Sequence, residues 1–257
     1  MFPYHDENET QRTAVVTLAI IGACVVAWLV VQGAGSFVPL ASSVCNYGLI
    51  PGQLTELLPA GTQVPLGAGA ESAGLACVTD QGRQLSTLFT HMFLHGGWMH
   101  LIGNMWFLWL FGNNIEDSMT RPRFVIFYFA CGLAAALLQT ALDPRSGLPM
   151  VGASGAISGV MGAYLVLYPR VRVFTIIPLG FYITNIAVPA WVMLVYWAVL
   201  QFFGGLGSLG AEGGGVAFWA HVGGFVAGVV LIKIFARTDR MQTRTARQWQ
   251  PRQVGWR

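Results

Sequence analysis

The amino-acid sequence predicts an all-α integral membrane protein, a bundle of six transmembrane helices with both termini in the cytoplasm. Three observations lead to this fold class. Hydrophobic residues make up 54% of the 257 residues and charged residues only 10%, which is too few charges to cover a water-exposed surface of this size. The apolar residues form runs of about 20, the length that crosses the hydrocarbon core of a bilayer. Basic residues are concentrated in alternate connecting segments, as expected of a multi-pass protein.

The composition also excludes two other classes of protein. A mean hydropathy of +0.58 is too high for an intrinsically disordered chain. A net charge of +3, scattered along the chain, is too small for a nucleic-acid-binding protein. The lipid bilayer is therefore the expected environment.

In chain order, the sequence divides into a short arm (1–13), a membrane domain (14–236) and a basic tail (237–257). The stretch 174–203 is too long for one span, and prolines interrupt it, so its first part is expected at the membrane interface. The six spans are expected at 14–32, 87–111, 124–142, 151–168, 189–203 and 216–235.

The basic residues orient this bundle. With the N-terminus in the cytoplasm, only Arg83 and Arg145 lie in outside segments, and every other arginine and the single lysine lie inside. The arm carries Asp6, Glu7 and Glu9, whereas secretory signals and mitochondrial transit peptides are basic at this position. We therefore expect the plasma membrane, with a bacterial cell as the default, and a tail that is disordered on the membrane surface.

The longest loop, residues 33–86, lies outside between the first two spans. It is rich in Gly, Pro and Ala, so we expect an irregular or partly embedded segment rather than a domain. Cys45 and Cys77 both fall in this loop, where oxidation is permitted, and they form either a disulfide or two free thiols. Cys24 and Cys131 fall inside spans and are expected to be buried apolar residues.

The candidate functional residues are the polar side chains inside the spans, because polar groups are costly in hydrocarbon. The second, fourth and sixth spans all begin at the outer face, so their first residues share one depth. At 1.5 Å per residue, the Ser, His and Asn side chains in their first turns lie about 5 to 12 Å below the outer surface. These candidates are His91, His95, His100, Asn104, Ser154, Ser158 and His221.

A serine, a histidine and hydrogen-bond donors at one depth are the parts of an acyl-transfer site. Histidine is the usual base for a serine nucleophile, and a developing oxyanion needs donors. His100 and Asn104 are four residues apart and so share a helix face. Ser154 begins a helix, where unpaired N–H groups and the positive end of the helix dipole favour an oxyanion. Glycines on the fourth and sixth spans allow their backbones to approach closely.

At these residues the sequence resembles the rhomboid family of intramembrane serine proteases, over nearly the whole stretch 87–228. The family's G-x-S-G motif reads Gly152-Ala153-Ser154-Gly155, which implies that Ser154 is the nucleophile. Its A-H-x-x-G-x-x-x-G motif begins at Ala220, which implies that His221 is the general base.

A third family element, H-x-x-x-N, matches His100 and Asn104 and implies that both help to form the oxyanion hole. His95 and Glu116 also fit the family pattern, as structural residues. The resemblance implies an endopeptidase that cleaves transmembrane protein substrates near the extracytoplasmic face, without a cofactor. The substrate helix is expected to enter between spans two and five, with small or helix-breaking residues at the cut site.

The sequence departs from the family at two places. Some members carry a Trp-Arg pair in the first outside loop, and this chain has none between residues 33 and 86. Some members place an aromatic residue one turn after the nucleophile, where it stacks beneath the histidine, but here that position is Ser158. The orientation of the dyad is therefore expected to come from other packing, with Trp219 or Phe218 as candidates.

Other readings of the same residues remain open. Ser154 and Ser158 are also the small residues that pack membrane helices, and we assign Ser158 to packing and His91 to bracing the loop. Histidines 91, 95 and 100 do not form a compact triad on one helix face, and no HExxH motif occurs, so no metal is expected. The rival functions are a proteolytically silent rhomboid-like protein that binds membrane clients, and a small channel or transporter. The sequence does not define the substrate or the oligomeric state.

Overall fold

The computed structural model of this chain describes residues 2–66, 76–179, 182–208, 216–237 and 240. These residues are mostly helical. In chain order, the elements are β1 (Phe2–Asp6), α1 (Val15–Val26, continued by a π-helical turn at Ala27–Val31), a 3-10 turn (Gly33–Gly35), α2 (Phe37–Tyr47), α3 (Pro51–Leu54), β2 (Gln63–Pro65), β3 (Ala76–Val78), α4 (Thr87–Thr90, followed by a 3-10 turn at His91–Phe93), α5 (Trp98–Asp117), α6 (Arg121–Leu142), α7 (Ser154–Leu167), β4 (Arg172–Leu179), β5 (Tyr182–Pro189), α8 (Ala190–Ser208) and α9 (Phe218–Phe235).

Within the described residues, three helices are long and apolar enough to cross a membrane, namely α6, α8 and α9. Two shorter apolar helices, Val15–Val31 and Ser154–Leu167, lie at the positions of the first and fourth expected spans. The second expected span is not one continuous helix from residue 87 to residue 111. It begins with short turns that end at Phe93, is not helical at residues 94–97, and is continuous only as α5, which runs six residues beyond Phe111. Gly96 and Gly97 lie in this break, as expected of a poor helix former.

The stretch expected at the membrane interface is a β-hairpin. Strands β4 and β5 pair in antiparallel register, and β1 from the N-terminal arm adds a third strand in the order β1-β4-β5. The β-branched residues that favour strands also raise hydropathy, so the apolar composition alone concealed the hairpin. Val173 and Thr175 of β4 are fully buried against the helices.

Buried carboxylates hold the end of the bundle next to this sheet. The Asp6 carboxylate accepts hydrogen bonds from the Tyr164 hydroxyl (2.5 Å) and the Asn114 amide (2.9 Å). Glu116 accepts from the backbone N–H groups of Val16 and Thr17 at 3.0 and 2.8 Å, and from the Thr17 hydroxyl at 2.8 Å. Because α1 has no side-chain cap of its own, Glu116 satisfies its first N–H groups from the end of α5.

The loop between α1 and α4 has more regular structure than its composition suggests. Helices α2 and α3 and the β2–β3 hairpin surround a small apolar cluster that includes Ile50 and Val64. Cys45 and Cys77 are joined by a disulfide, with Cα atoms 5.1 Å apart. Leu49 and Met150 exchange backbone hydrogen bonds of 3.0 and 2.7 Å, so the loop docks on the segment that leads into α7.

Helix α7 packs between α6 and α9, and glycines permit this packing. A Cβ atom built at Gly224 or Gly228 of α9 would overlap the carbonyl oxygen of Gly155 or Gly159, respectively. On the α6 side, a Cβ at Gly155 would lie 2.6 Å from the Cβ of Ala135. The two helices α7 and α9 are therefore in direct backbone contact, which fixes their relative position along the crossing.

We expect Gly224→Ala and Gly228→Ala each to destabilise the protein by about 1 to 3 kcal/mol, because the added methyl overlaps backbone atoms that have no room to move. Thermal unfolding in detergent should show the loss as a lower Tm. Gly22→Ala is the matched control, since it also lies within a helix and a Cβ there meets nothing within 4 Å. An unchanged Tm in both α9 variants would contradict this packing.

The disulfide should protect the loop from proteolysis. Its loss should destabilise the loop by about 2 to 4 kcal/mol. Cys45→Ser should therefore speed limited proteolysis between α1 and α4. The same variant should abolish the mobility shift between reducing and non-reducing gels. Cys24→Ala, at a buried free thiol, should keep the shift. A wild-type chain without any shift would show that the two thiols are unpaired.

Candidate active site

The packing of α7 against α9 brings Ser154 and His221 together. Ser154 is the first residue of α7, and His221 is the fourth of α9. The Ser154 Oγ lies 2.8 Å from the His221 Nε2, within hydrogen-bond distance, and both side chains are half-buried. A histidine at this distance is placed to take the hydroxyl proton of the serine.

Helix α8 provides the other contacts of the histidine. The Nδ1 of His221 lies 2.7 Å from the Oε1 of Gln201, and the Trp197 ring is tilted against the imidazole with centroids 5.8 Å apart. Trp219 and Phe218, the residues expected to orient the dyad, pack against α8, Trp219 beside Gly205 and Phe218 beside Gly204. The contacts that the structure shows at the imidazole itself come from Gln201 and Trp197.

The sequence analysis did not select Gln201 or Trp197, although one feature of the sequence favours Gln201. Gln201 is a polar residue within an apolar helix, and the cost of such a residue in hydrocarbon makes it a functional candidate. It follows Trp197 by four residues, so both lie on the same face of α8.

His100 is placed to donate a hydrogen bond into the site. Its Nδ1 accepts from the Gly96 N–H at 3.2 Å, so the neutral ring carries its proton on Nε2. A Cβ at Gly152 would lie only 2.8 Å from that Nε2, which places the N–H beside the residues just before Ser154. Asn104 uses one amide hydrogen in a 2.8 Å bond to the His100 carbonyl and keeps a second.

Two features of the structure require glycine at position 152, the first residue of the G-x-S-G motif. Gly152 adopts φ +127°, in the region that favours glycine, and the proximity of the His100 ring leaves no space for a side chain. Its N–H donates to the His91 carbonyl at 2.9 Å. His91 itself is buried, with Nδ1 2.7 Å from the Thr87 carbonyl oxygen, so it braces the segment that precedes the serine.

The remaining sequence candidates, Ser158 and His95, lie next to the site and have contacts of their own. Ser158 is buried and donates its hydroxyl to the Ser154 carbonyl at 2.6 Å. His95 is fully buried and meets the His100 ring edge-on, with centroids 5.2 Å apart, while the Gln32 amide bonds to its backbone. Across the part of the chain that the structure describes, no group of His, Cys, Asp or Glu side chains could hold a metal.

Ser154, His221, His100 and Asn104 all line one cavity of about 670 Å³. Met99, Gly103 and Phe107 line it from α5, and Trp197 lines it from α8. A serine with a histidine base, donors for an oxyanion and an apolar cavity can carry out acyl transfer on a bound peptide or ester.

The match to a known family covers most of the membrane region. A family model described as the Rhomboid domain matches residues 82–238, which include the whole of the site.

Several named proteins are similar to this chain. RHOMBOID-like protein 6, mitochondrial, of Arabidopsis thaliana is 36% identical over 85 residues, which are 33% of this chain and 27% of the relative. Rhomboid-like protease 5 of Toxoplasma gondii is 31% identical over 147 residues, 54% of this chain and 15% of the relative. Rhomboid protease GluP of Bacillus subtilis is 37% identical over 78 residues, 30% of this chain and 15% of the relative. The chain thus spans less than a third of the length of each.

We expect Asn104→Ala to slow any turnover at this site by about 10- to 1000-fold, as the loss of one oxyanion donor does in serine hydrolases. The rate of hydrolysis should fall with little change in Tm. Asn46→Ala, at an exposed amide on α2 that bonds to Ser42, is the matched control. Equal rates in the two variants would remove Asn104 from the oxyanion hole.

Proposed function

Because the chain belongs to the rhomboid family, we propose that it is an intramembrane serine endopeptidase that uses Ser154 as nucleophile and His221 as general base. The observation that carries the proposal is the 2.8 Å approach of the Ser154 Oγ to the His221 Nε2. Two similar proteins, from Toxoplasma gondii and Bacillus subtilis, are named proteases, which supports the same reaction here.

The reaction proceeds by acylation and deacylation. Ser154 attacks the scissile carbonyl carbon while its proton passes to the Nε2 of His221. The tetrahedral intermediate collapses when the resulting imidazolium protonates the leaving amine, which leaves an acyl ester on Ser154. His221 then takes a proton from water, the hydroxide attacks the ester, and the proton returns to Ser154, as in other serine hydrolases.

The oxyanion of each tetrahedral intermediate has three donors within reach. The Ser154 N–H lies in the first turn of α7, where it has no partner in the helix and where the dipole favours negative charge. The Nε2–H of His100 and the second amide hydrogen of Asn104 line the same cavity. Donors fixed before the reaction stabilise the developing charge without reorganisation.

We place the chain in the membrane with six spans, formed by α1 and its π-helical turn, α5, α6, α7, α8 and α9. Ser154 lies at the start of α7 and the β1-β4-β5 sheet follows its end, so the site and the sheet occupy opposite faces. The sheet carries Arg172, and the positive-inside rule puts it in the cytoplasm with the arm. The site then faces the extracytoplasmic side, in the plasma membrane of a bacterial cell. Residues 238–239 and 241–257 of the basic tail lie outside the described residues.

The substrate is a transmembrane helix that reaches Ser154 between α5 and α8. Both helices line the cavity, and they make little direct contact with each other. The substrate must unwind near its outer end, because helical carbonyls are hydrogen-bonded and shielded. Small or helix-breaking residues therefore favour cleavage.

Water for deacylation comes from the outer face. The glycine-rich stretch 204–215 was expected to be a loop that admits this water, but residues 204–208 belong to α8. Residues 209–215 lie outside the described residues.

Ser154→Ala and His221→Ala should each abolish cleavage in liposomes of a single-span reporter with Gly and Ala residues near its outer end. The first variant lacks the nucleophile and the second lacks the base that activates it. Ser158→Ala is the matched control, since its hydroxyl is bonded to the backbone and is not needed for chemistry.

Full cleavage by Ser154→Ala would contradict the proposed mechanism. Binding of the reporter without cleavage by the folded wild type would favour a silent, client-binding member of the family. Proton or ammonium flux that is unaffected by Ser154→Ala would favour a channel or transporter.

A further inference from the structure

The contact between Gln201 and His221 determines which imidazole nitrogen carries the proton. The Gln201 Oε1 is a carbonyl oxygen and can only accept, so the His221 Nδ1 at 2.7 Å must donate. A neutral imidazole has one N–H, and its Nε2 therefore presents a lone pair. That nitrogen lies 2.8 Å from the Ser154 Oγ, so the serine hydroxyl donates to it. This is the tautomer that a general base requires.

Helix α8 fixes the orientation of the imidazole as well as its tautomer. Trp197 and Gln201 are one turn apart on the same face. The indole lies beside the imidazole at an interplanar angle of 40°, with ring centroids 5.8 Å apart, while the amide oxygen is hydrogen-bonded to Nδ1. Rotation of the ring about its Cβ–Cγ bond would break the Gln201 hydrogen bond and turn Nε2 away from Ser154.

An amide is suited to this position because the surroundings are apolar. Other serine hydrolases use a carboxylate for the same contact, but an ionised carboxylate inside a membrane is costly. No described Asp or Glu lines the cavity, and the titratable side chains that line it beside His221 are His91 and His100. An amide orients the ring without adding a charge, and it leaves the imidazolium without an anionic partner.

We propose that Gln201 is a positioning residue, the third member of the Ser154–His221 site, which holds the His221 Nδ1–H and so presents Nε2 to the serine. This inference rests on the proposed function. Gln201 touches neither the substrate carbonyl nor the oxyanion, and it acts through His221 alone.

The test measures the rate at which a fluorophosphonate probe labels the purified protein in detergent, between about pH 5 and pH 9, where a histidine base titrates. Gln201→Leu removes the acceptor and should lower the plateau rate about 10- to 100-fold, as the loss of a buried hydrogen bond does. Gln201→Glu restores an acceptor and should recover most of that plateau.

The glutamate variant also has a signature that a structural role would not produce. Its carboxylate stabilises the imidazolium, so the pH of half-maximal labelling should rise by about one unit or more. Gln139→Leu and Gln139→Glu are the matched controls, because the Gln139 Oε1 accepts from the Ala220 N–H at 3.2 Å, one residue before His221, without contacting the ring. Both Gln139 variants should keep the wild-type plateau of the labelling rate. Gln139→Glu should shift the pH of half-maximal labelling less than half as far as Gln201→Glu does.

Rates are expressed per folded protein, with Tm measured for each variant. A Gln201→Leu protein that labels at the wild-type rate, or a Gln201→Glu protein with an unmoved midpoint, would overturn the positioning role. A folded wild type that is not labelled, or that is labelled equally in Ser154→Ala, would instead contradict the proposed function before any Gln201 variant is considered.

Discussion

The backbones of α7 and α9 touch where the two helices cross, and the geometry of the site follows from that contact. Any Cβ at Gly224 or Gly228 would occupy the space of a carbonyl oxygen on α7. Because the crossing is fixed by backbone atoms rather than by flexible side chains, the first turns of the two helices are held at a constant separation. Ser154 and His221 lie in those turns, and their 2.8 Å contact is a consequence of helix packing.

The two ends of the bundle use polar groups differently. At the sheet end, Asp6 and Glu116 are buried with backbone, hydroxyl or amide donors, and they fasten the arm and α1 to the remaining helices. At the opposite end, the polar groups line a cavity. His100 has a defined proton position because Gly96 donates to it, and His221 has one because of Gln201. The first set stabilises the fold, and the second supplies the groups that the proposed proton transfer uses.

The sequence selected candidate residues that the structure brings to one cavity, but not the side chains that contact them. Hydropathy located the apolar runs, and the motif spacings selected Ser154, His221, His100 and Asn104, because both signals are local in the chain. The β1-β4-β5 sheet and the contact from Gln201 depend on residues far apart in sequence. Hydropathy does not distinguish an apolar strand from an apolar helix, and the side chain that meets the histidine depends on the position of α8. The order of the loop between α1 and α4 also involves a long-range contact, the disulfide between Cys45 and Cys77.

The central claim is that Ser154 is a nucleophile activated by His221. Peptide mapping by mass spectrometry of the fluorophosphonate-treated protein tests it most directly, because it identifies the modified atom without any knowledge of the substrate. The account predicts a single adduct, on the Ser154 peptide, which is absent from the folded His221→Ala variant. An adduct on another serine, or one on Ser154 that persists undiminished in His221→Ala, would contradict it.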